Sequence, residues 1–290
     1  MIVYTYNDKV LVNSANDKWL KKKDVDPYNP LGLPAGVMRF EATSGWTPSG
    51  YDTMNLEFTQ VSSSPNIWDL HILNGNAIAN GATGSMTKLL GFNATGLTNY
   101  SSALHSRIYY SKGTLTECGP MYLPGYTGST SNNGSLFNDC QYISNIGKLY
   151  TPDLTGAINM FYSCKSLTTV PLFDTSSVTN MSAMFVGCTS LTTIPLFDTS
   201  NVTNMSNMFN GCTSLTTVPL FDTSSVTNME AAFYGCTNVE SGALALYQQA
   251  SMQANPPSNH GGTFTNCGSN TVTGAAELAQ IPSSWGGTAT

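Results

Sequence analysis

Cys164, Cys188, Cys212 and Cys236 stand 24 residues apart, and the segments that end on the last three read almost alike: SLTTVPLFDTSSVTNMSAMFVGC, SLTTIPLFDTSNVTNMSNMFNGC and SLTTVPLFDTSSVTNMEAAFYGC. A fixed period in this range means one supersecondary unit stacked on copies of itself, because a unit this short cannot bury an apolar face alone. The expected fold is therefore a repeat solenoid of 24-residue coils, built from short strands and short helical turns. The same interval leads back to Cys140, and a Phe precedes each Cys by three residues at Phe137, Phe161, Phe185, Phe209 and Phe233. Upstream, FNATGLTNYSSAL (92–104) lines up with FDTSSVTNMSAMF (173–185), and Leu115 with Cys118 matches the Leu and Val of LTTV. Downstream, Phe264 and Cys267 repeat the pair after an inserted segment with helical character at Ala243 to Ala250. About six to seven coils fit between residues 86 and 267.

Within one coil Met181, Met184, Phe185 and Cys188 fall at i, i+3, i+4 and i+7, the spacing of one face of a short helix. LTTV and VTNM are too short and too rich in Thr for helices, so they are expected to be extended and to pair with the coil above at about 4.8 Å. Pro171 ends the first of these segments, and Asp174, Thr175 and Ser176 suit a turn in which side chains bond the local backbone. The Phe positions and Cys140, Cys164, Cys188, Cys212, Cys236 and Cys267 then form two ladders inside the core. Six thiols pointing the same way on successive coils behave as small buried hydrophobes, and parallel Cβ directions disfavour disulfides between them. No close Cys pair of zinc-site spacing is present, and no metal or other cofactor is expected.

The pattern LTTVPLFDTSxVTNMxxMFxGCTS resembles the BspA-like leucine-rich repeats, in the variant found as long arrays in surface proteins of gut bacteria and mycoplasmas and in phages of Bacteroidales. The opening YNPLGLPAGVMRFEATSG and the closing run from Val239 also resemble the capping segments of such proteins in phage and prophage genomes. The resemblance implies a recognition surface carried on an array with caps. The chain accordingly divides into an N-terminal hairpin and linker (1–35), a mainly β N-terminal cap region (36–85), the repeat array (86–239) and a C-terminal cap holding a last divergent coil (240–290).

Only 10% of the residues are charged, and all eleven Lys and Arg lie at or before Lys165. The array therefore lacks the basic stripe that phosphates require, which excludes nucleic acid as its partner. No apolar run approaches the length of a membrane span, and MIVYTYNDKVLVNSANDKW lacks the basic start and apolar core of a secretory signal. That start reads as a hairpin around Asn7-Asp8, followed by a charged stretch and by Pro27, Pro30 and Pro34, which stiffen a linker.

Chemistry-bearing constellations are sparse. His71, His105 and His260 are scattered, GATGSMTK (81–88) lacks the spacing of a phosphate-binding loop, and nothing in the spacing of Glu41, Asp52, Glu57 and Asp69 selects a catalytic pair. Asp174, Asp198 and Asp222 form a row that could attract calcium or could serve the turns of their own coils. Thr168, Thr192 and Thr216 on one side of the coils, and Asn180, Asn204 and Asn228 on the other, make polar rows suited to a glycan or a protein surface. The expected function is that of a non-enzymatic phage virion structural protein: a fibre, an appendage, or a capsid or tail decoration. The N-terminal segment would join other virion proteins and the array would face a host surface protein or glycan; a homo-trimer is one arrangement open to it. The alternatives are a BspA-like adhesin on a bacterial cell surface and a carbohydrate-active enzyme with its site in the N-terminal region.

Overall fold

The computed structural model describes residues 2–3, 12–13, 32–45, 47–48, 56–72, 86–95, 97, 113–129 and 135–289. Near the start, β1 (Ile2–Val3) pairs antiparallel with β2 (Val12–Asn13), Ile2 opposite Asn13 and Val3 opposite Val12, and the turn expected around Asn7-Asp8 lies outside the described residues. The linker prolines Pro27 and Pro30 lie outside the described residues.

Four longer strands follow: β3 (Val37–Ala42), β4 (Leu56–Ser63), β5 (Asn66–Ile72) and β6 (Met86–Asn93). They lie side by side as β4-β5-β3-β6, all antiparallel, with Met38, Phe40, Leu70 and Phe92 buried beneath them. Arg39 and Asp69 face each other across β3 and β5, and the guanidinium grips both carboxylate oxygens at 2.6 Å. That two-pronged geometry is the strong form of an ion pair.

β6 is the seam of the molecule. On one edge it runs antiparallel to β3, and on the other it runs parallel to β7 (Glu117–Cys118) and β8 (Met121–Tyr122). These in turn carry β10 (Asn145–Ile146) and β11 (Leu149–Tyr150), while β9 (Gly128–Ser129) carries β12 (Gly156–Ala157). Leu89 thus stands over Cys118 and Cys118 over Ile146, and Phe92 stands over Met121 and Met121 over Leu149. The N-terminal sheet and the first parallel rungs share one eight-stranded sheet.

From residue 135 onward the 24-residue units lie on one another in parallel register. Asn180 bridges Asn204, which bridges Asn228, which bridges Asn259. Inside, the rings of Phe137, Phe161, Phe185, Phe209, Phe233 and Phe264 form one column, with successive centroids 5.4, 5.2, 5.3, 5.0 and 5.9 Å apart and planes within 17° of parallel. A second set, Phe173, Phe197 and Phe221, is buried beside it.

Two local expectations are corrected. The segment from Met181 to Cys188 is a chain of turns, not a helix: Met184 N–H reaches Met181 O and Cys188 N–H reaches Phe185 O, three residues back. Ala183 at φ 54° and Gly187 at φ 69° are left-handed, which interrupts the i−4 bonding of an α-helix. In exchange, the N–H groups of Met181, Ala183, Phe185 and Gly187 all point along the stack, to the carbonyls of Asn204, Ser206, Met208 and Asn210 at 2.8–2.9 Å. LTTV, likewise, is not a regular strand. Thr192 N–H bonds Thr168 O and Thr216 N–H bonds Thr192 O, but the prolines at 171, 195 and 219 have no N–H with which to extend the ladder.

The C-terminal segment covers the last coil. Helix α1 (Ala243–Met252) starts at Gly242 without a side-chain cap of its own, and the Glu277 carboxylate of α2 (Val272–Leu278) accepts from Gly242 N–H and Leu244 N–H instead. A carboxylate there also meets the positive end of the helix dipole. In the interior coils Thr175 and Thr199 donate their hydroxyls to the carbonyls of Asp198 and Asp222 in the next coil. Thr223 has no such coil above it, and Gln253 Oε1 takes the bond at 3.3 Å. Gln249 and Gln253 donate in return to Phe221 O and Thr223 O. Trp285 then closes the end, its carbonyl accepting Phe264 N–H and its ring stacked on His260 at 4.2 Å.

Candidate functional site

Among the described residues, the repeats present rows of equivalent polar and apolar side chains on the outer surface of the stack. The threonine row Thr168, Thr192 and Thr216 is exposed or half-buried. Thr192 and Thr216 donate their hydroxyls to the carbonyls of Thr168 and Thr192, at 3.2 and 3.3 Å. A parallel row behaves alike: Thr179, Thr203 and Thr227 each donate to the threonine carbonyl one coil earlier. These hydroxyls hold coil to coil, and what they offer outward is a lone pair and a methyl group.

Asn180, Asn204 and Asn228 are half-buried, and each Oδ1 accepts the N–H two residues on, from Ser182, Ser206 and Glu230 at 2.9–3.0 Å. This is an Asx turn, a local structural use of the side chain. The Asp row is also engaged in turns. Asp174 Oδ1 accepts Ser176 N–H and hydroxyl, Asp198 Oδ1 accepts the same pair from Ser200, and Asp222 Oδ1 accepts Ser224 N–H. The hydroxyl and then the N–H of Ser200 hold the Asp198 carboxyl below its ordinary range, and Ser224 does the same to Asp222. Among the described residues no group of three or more His, Cys, Asp or Glu side chains is arranged to hold a metal ion.

The six ladder cysteines and Cys118 are buried, and none of them is in a disulfide. Each interior thiol also has a partner: Cys164, Cys188, Cys212 and Cys236 donate to the carbonyls of Phe137, Phe161, Phe185 and Phe209 at 3.0–3.1 Å. They are hydrogen-bonding groups as well as core fillers. Burial pushes the Cys188 and Cys236 thiols up to about 12 and the Cys164, Cys212 and Cys267 thiols well above their ordinary value.

In the N-terminal sheet, Asp69 is held by Arg39, and Glu57 lies opposite His71 on β4 and β5. Asp52 and His105 fall outside the described residues. His260 is part of the terminal cap.

A further row on the surface is apolar. Leu172, Leu196 and Leu220 are 64, 64 and 54% exposed, although they sit between Pro and a buried Phe. The signal was the alternation in PLFD, where Phe173 points inward and its neighbours Leu172 and Asp174 point out. Three successive coils therefore display a leucine beside an aspartate.

No described helix is long and apolar enough to cross a membrane. The chain matches no curated protein and no solved structure. Residues 131–249, the segment that holds the regular repeats, match the model of the family described as "Mycoplasma protein of unknown function, DUF285".

Proposed function

We propose that this chain is a non-enzymatic phage virion structural protein, a leucine-rich-repeat-type solenoid of the BspA-like kind that serves as a fibre, appendage or decoration. The observation that carries this reading is the outer surface itself, which presents the same side chains coil after coil at a rise of about 5 Å. A surface of that kind suits recognition through many repeated weak contacts. The shared sheet across β6 supports it further, since the array is built directly onto the N-terminal region. In this reading residues 1–34 join the chain to other virion proteins and the array meets a host protein or glycan.

The experiment is a deletion of residues 1–34 in the producing phage or prophage. The truncated chain should stay folded and soluble, because β3 to β6 and the array remain, and it should no longer co-sediment with assembled particles. Co-sedimentation that survives the deletion overturns the attachment role. Absence of the full-length chain from purified particles overturns the virion reading.

A second reading is that of a bacterial surface adhesin. The match of the repeat segment to a family described from Mycoplasma, a cellular organism, favours it. Surface labelling of intact producing cells with an antibody to the array distinguishes the two.

A further inference from the structure

The leucine row is the least explained feature of the array. Three large apolar side chains at equivalent positions, each more than half exposed, form a continuous stripe, and an aspartate row runs beside it. The stripe is bounded. One coil earlier the equivalent position is Lys148, and one coil later it is Leu244 on α1, which is partly buried against the core.

The rise along this stripe is fixed by the packing underneath. Phe173 and Phe197, the neighbours of Leu172 and Leu196, have ring centroids 5.0 Å apart, and Phe185 and Phe209 are 5.3 Å apart. An α-helix advances about 5.4 Å per turn, so a helix laid along the stack sets one side chain per turn against each leucine. An extended strand places same-side residues about 6.6 Å apart and drifts out of phase within two coils.

Charge selects the character of that helix. After Lys165 the chain has six acidic residues, Asp174, Asp198, Asp222, Glu230, Glu240 and Glu277, and no Lys or Arg. Eleven acidic and eleven basic residues occupy the part up to Lys165, so the whole formal charge of −6 falls on the coils and cap that follow Lys165. The turn uses Oδ1 of each aspartate for one or two bonds. A carboxylate accepts about four, which leaves capacity for an incoming ammonium or guanidinium.

We infer that the Leu172, Leu196 and Leu220 row, with Asp174, Asp198 and Asp222 beside it, is a docking surface for a basic amphipathic α-helix of a partner protein lying along the stack. Leucines of the array take the apolar stripe of that helix, and the aspartates take Lys or Arg on its flank. This deepens the recognition reading and rests on it only in giving the array a partner. The following test uses the purified chain, so its failure leaves the particle experiment untouched.

The probe is a fluorescein-labelled peptide of about 18 residues, five turns of helix, with Leu on one face and Lys on its flanks. Two controls are the same composition in strict Leu-Lys alternation and a helix with Glu in place of Lys. Anisotropy at low salt should show the Leu/Lys helix binding at least about tenfold more tightly than either control. Replacing all three leucines by Ser should weaken it by about tenfold or more. Asp174→Asn, Asp198→Asn and Asp222→Asn together keep an acceptor in each turn and should remove the salt dependence of binding.

Thermal unfolding followed by circular dichroism checks that each variant is folded; Leu196→Lys, a single exposed change, replaces the triple leucine variant if that one is not. Equal binding of the alternating control overturns the helix, and equal binding of the Glu helix overturns the charge selection. Binding unchanged in both triple variants overturns the site. Concentration-dependent dimers in sedimentation that disperse on Leu→Ser overturn it in favour of a second copy of this chain.

Discussion

The thiol of Cys212 donates to the carbonyl of Phe185, one coil earlier, at 3.1 Å, and the same carbonyl accepts Cys188 N–H of its own coil at 3.1 Å. One oxygen thereby closes a turn and ties two coils together. The same Cys-to-Phe bond recurs from Cys164 to Cys236. The core is thus held by a ring column and by a thiol column bonded to the backbone of the rings.

Phe209 lies at the middle of the ring column, 5.3 Å from Phe185 and 5.0 Å from Phe233, and is fully buried. Phe209→Ala should lower the free energy of unfolding by about 3–5 kcal/mol, because flanking coils fixed by backbone bonds cannot collapse into the cavity. Denaturant unfolding of the variant checks this, and a loss well below that range would show that the column repacks.

The buried thiols make the protein sensitive to alkali. In the unfolded chain a thiol loses its proton near pH 8.5, whereas burial keeps Cys188 and Cys236 protonated up to about 12. Their contribution to stability is fully present below about pH 8.5 and is lost as pH rises toward the folded value, at about 1.4 kcal/mol per pH unit for each thiol. Urea midpoints should be level at neutral pH and fall above about pH 9. Cys188→Ala should make that fall shallower.

Ala183 holds a left-handed conformation at φ 54°, and Ala231 does the same at φ 52°. A Cβ in that region costs about 1–2 kcal/mol per residue, a cost that glycine avoids. Ala183→Gly should therefore raise the denaturant midpoint by about 1 kcal/mol of stability, the reverse of the change expected had the segment been helical. A lowered midpoint would contradict the turn geometry.

Thr199 is 1% exposed and donates its hydroxyl to Asp222 O at 2.9 Å. Thr199→Val keeps the shape and removes the donor, and should cost about 1–2 kcal/mol by leaving the site without its inter-coil bond. Equilibrium unfolding measures it, with the exposed Thr193→Val as the reference for the substitution itself.

Ser200 lowers the pKa of Asp198 through its hydroxyl first and its N–H second. Ser200→Ala should bring the Asp198 titration, followed by carbon-detected NMR, back toward the ordinary carboxylate range. In the native protein this carboxylate favours the folded state above that range, and the contribution disappears as pH falls through its folded value.

The period by itself determined which side chains meet. Residues 24 apart come to equivalent places on successive coils, so Phe161, Phe185 and Phe209, or Cys164, Cys188 and Cys212, are legible as columns in the sequence alone. The alignment of Phe92 and Cys118 with later coils is legible from the pattern of residue types rather than from the interval, because insertions break the period there, and the registers of β6, β7, β8, β10 and β11 set them over Met121 and Leu149 and over Ile146. What the spacing could not decide was the backbone between the columns. Apolar residues at i, i+3, i+4 and i+7 arise from a helical turn and equally from linked three-residue turns. The choice here goes to the turns because left-handed residues at 183 and 187 let four N–H groups bond the next coil. That gain exists only when a next coil is in place.

The candidate surface divides in the same way. Thr192 and Asn204 looked like free polar groups, but stacking brings a carbonyl to the threonine hydroxyl and the turn brings an N–H to the asparagine oxygen. Leu196 belonged to an apolar-looking PLFD segment, and only the inward rotation of Phe197 turned it out to solvent. Identity and repetition are properties of the chain, whereas the outward or inward sense of each side chain, and the partner of each polar atom, come from the neighbouring coil.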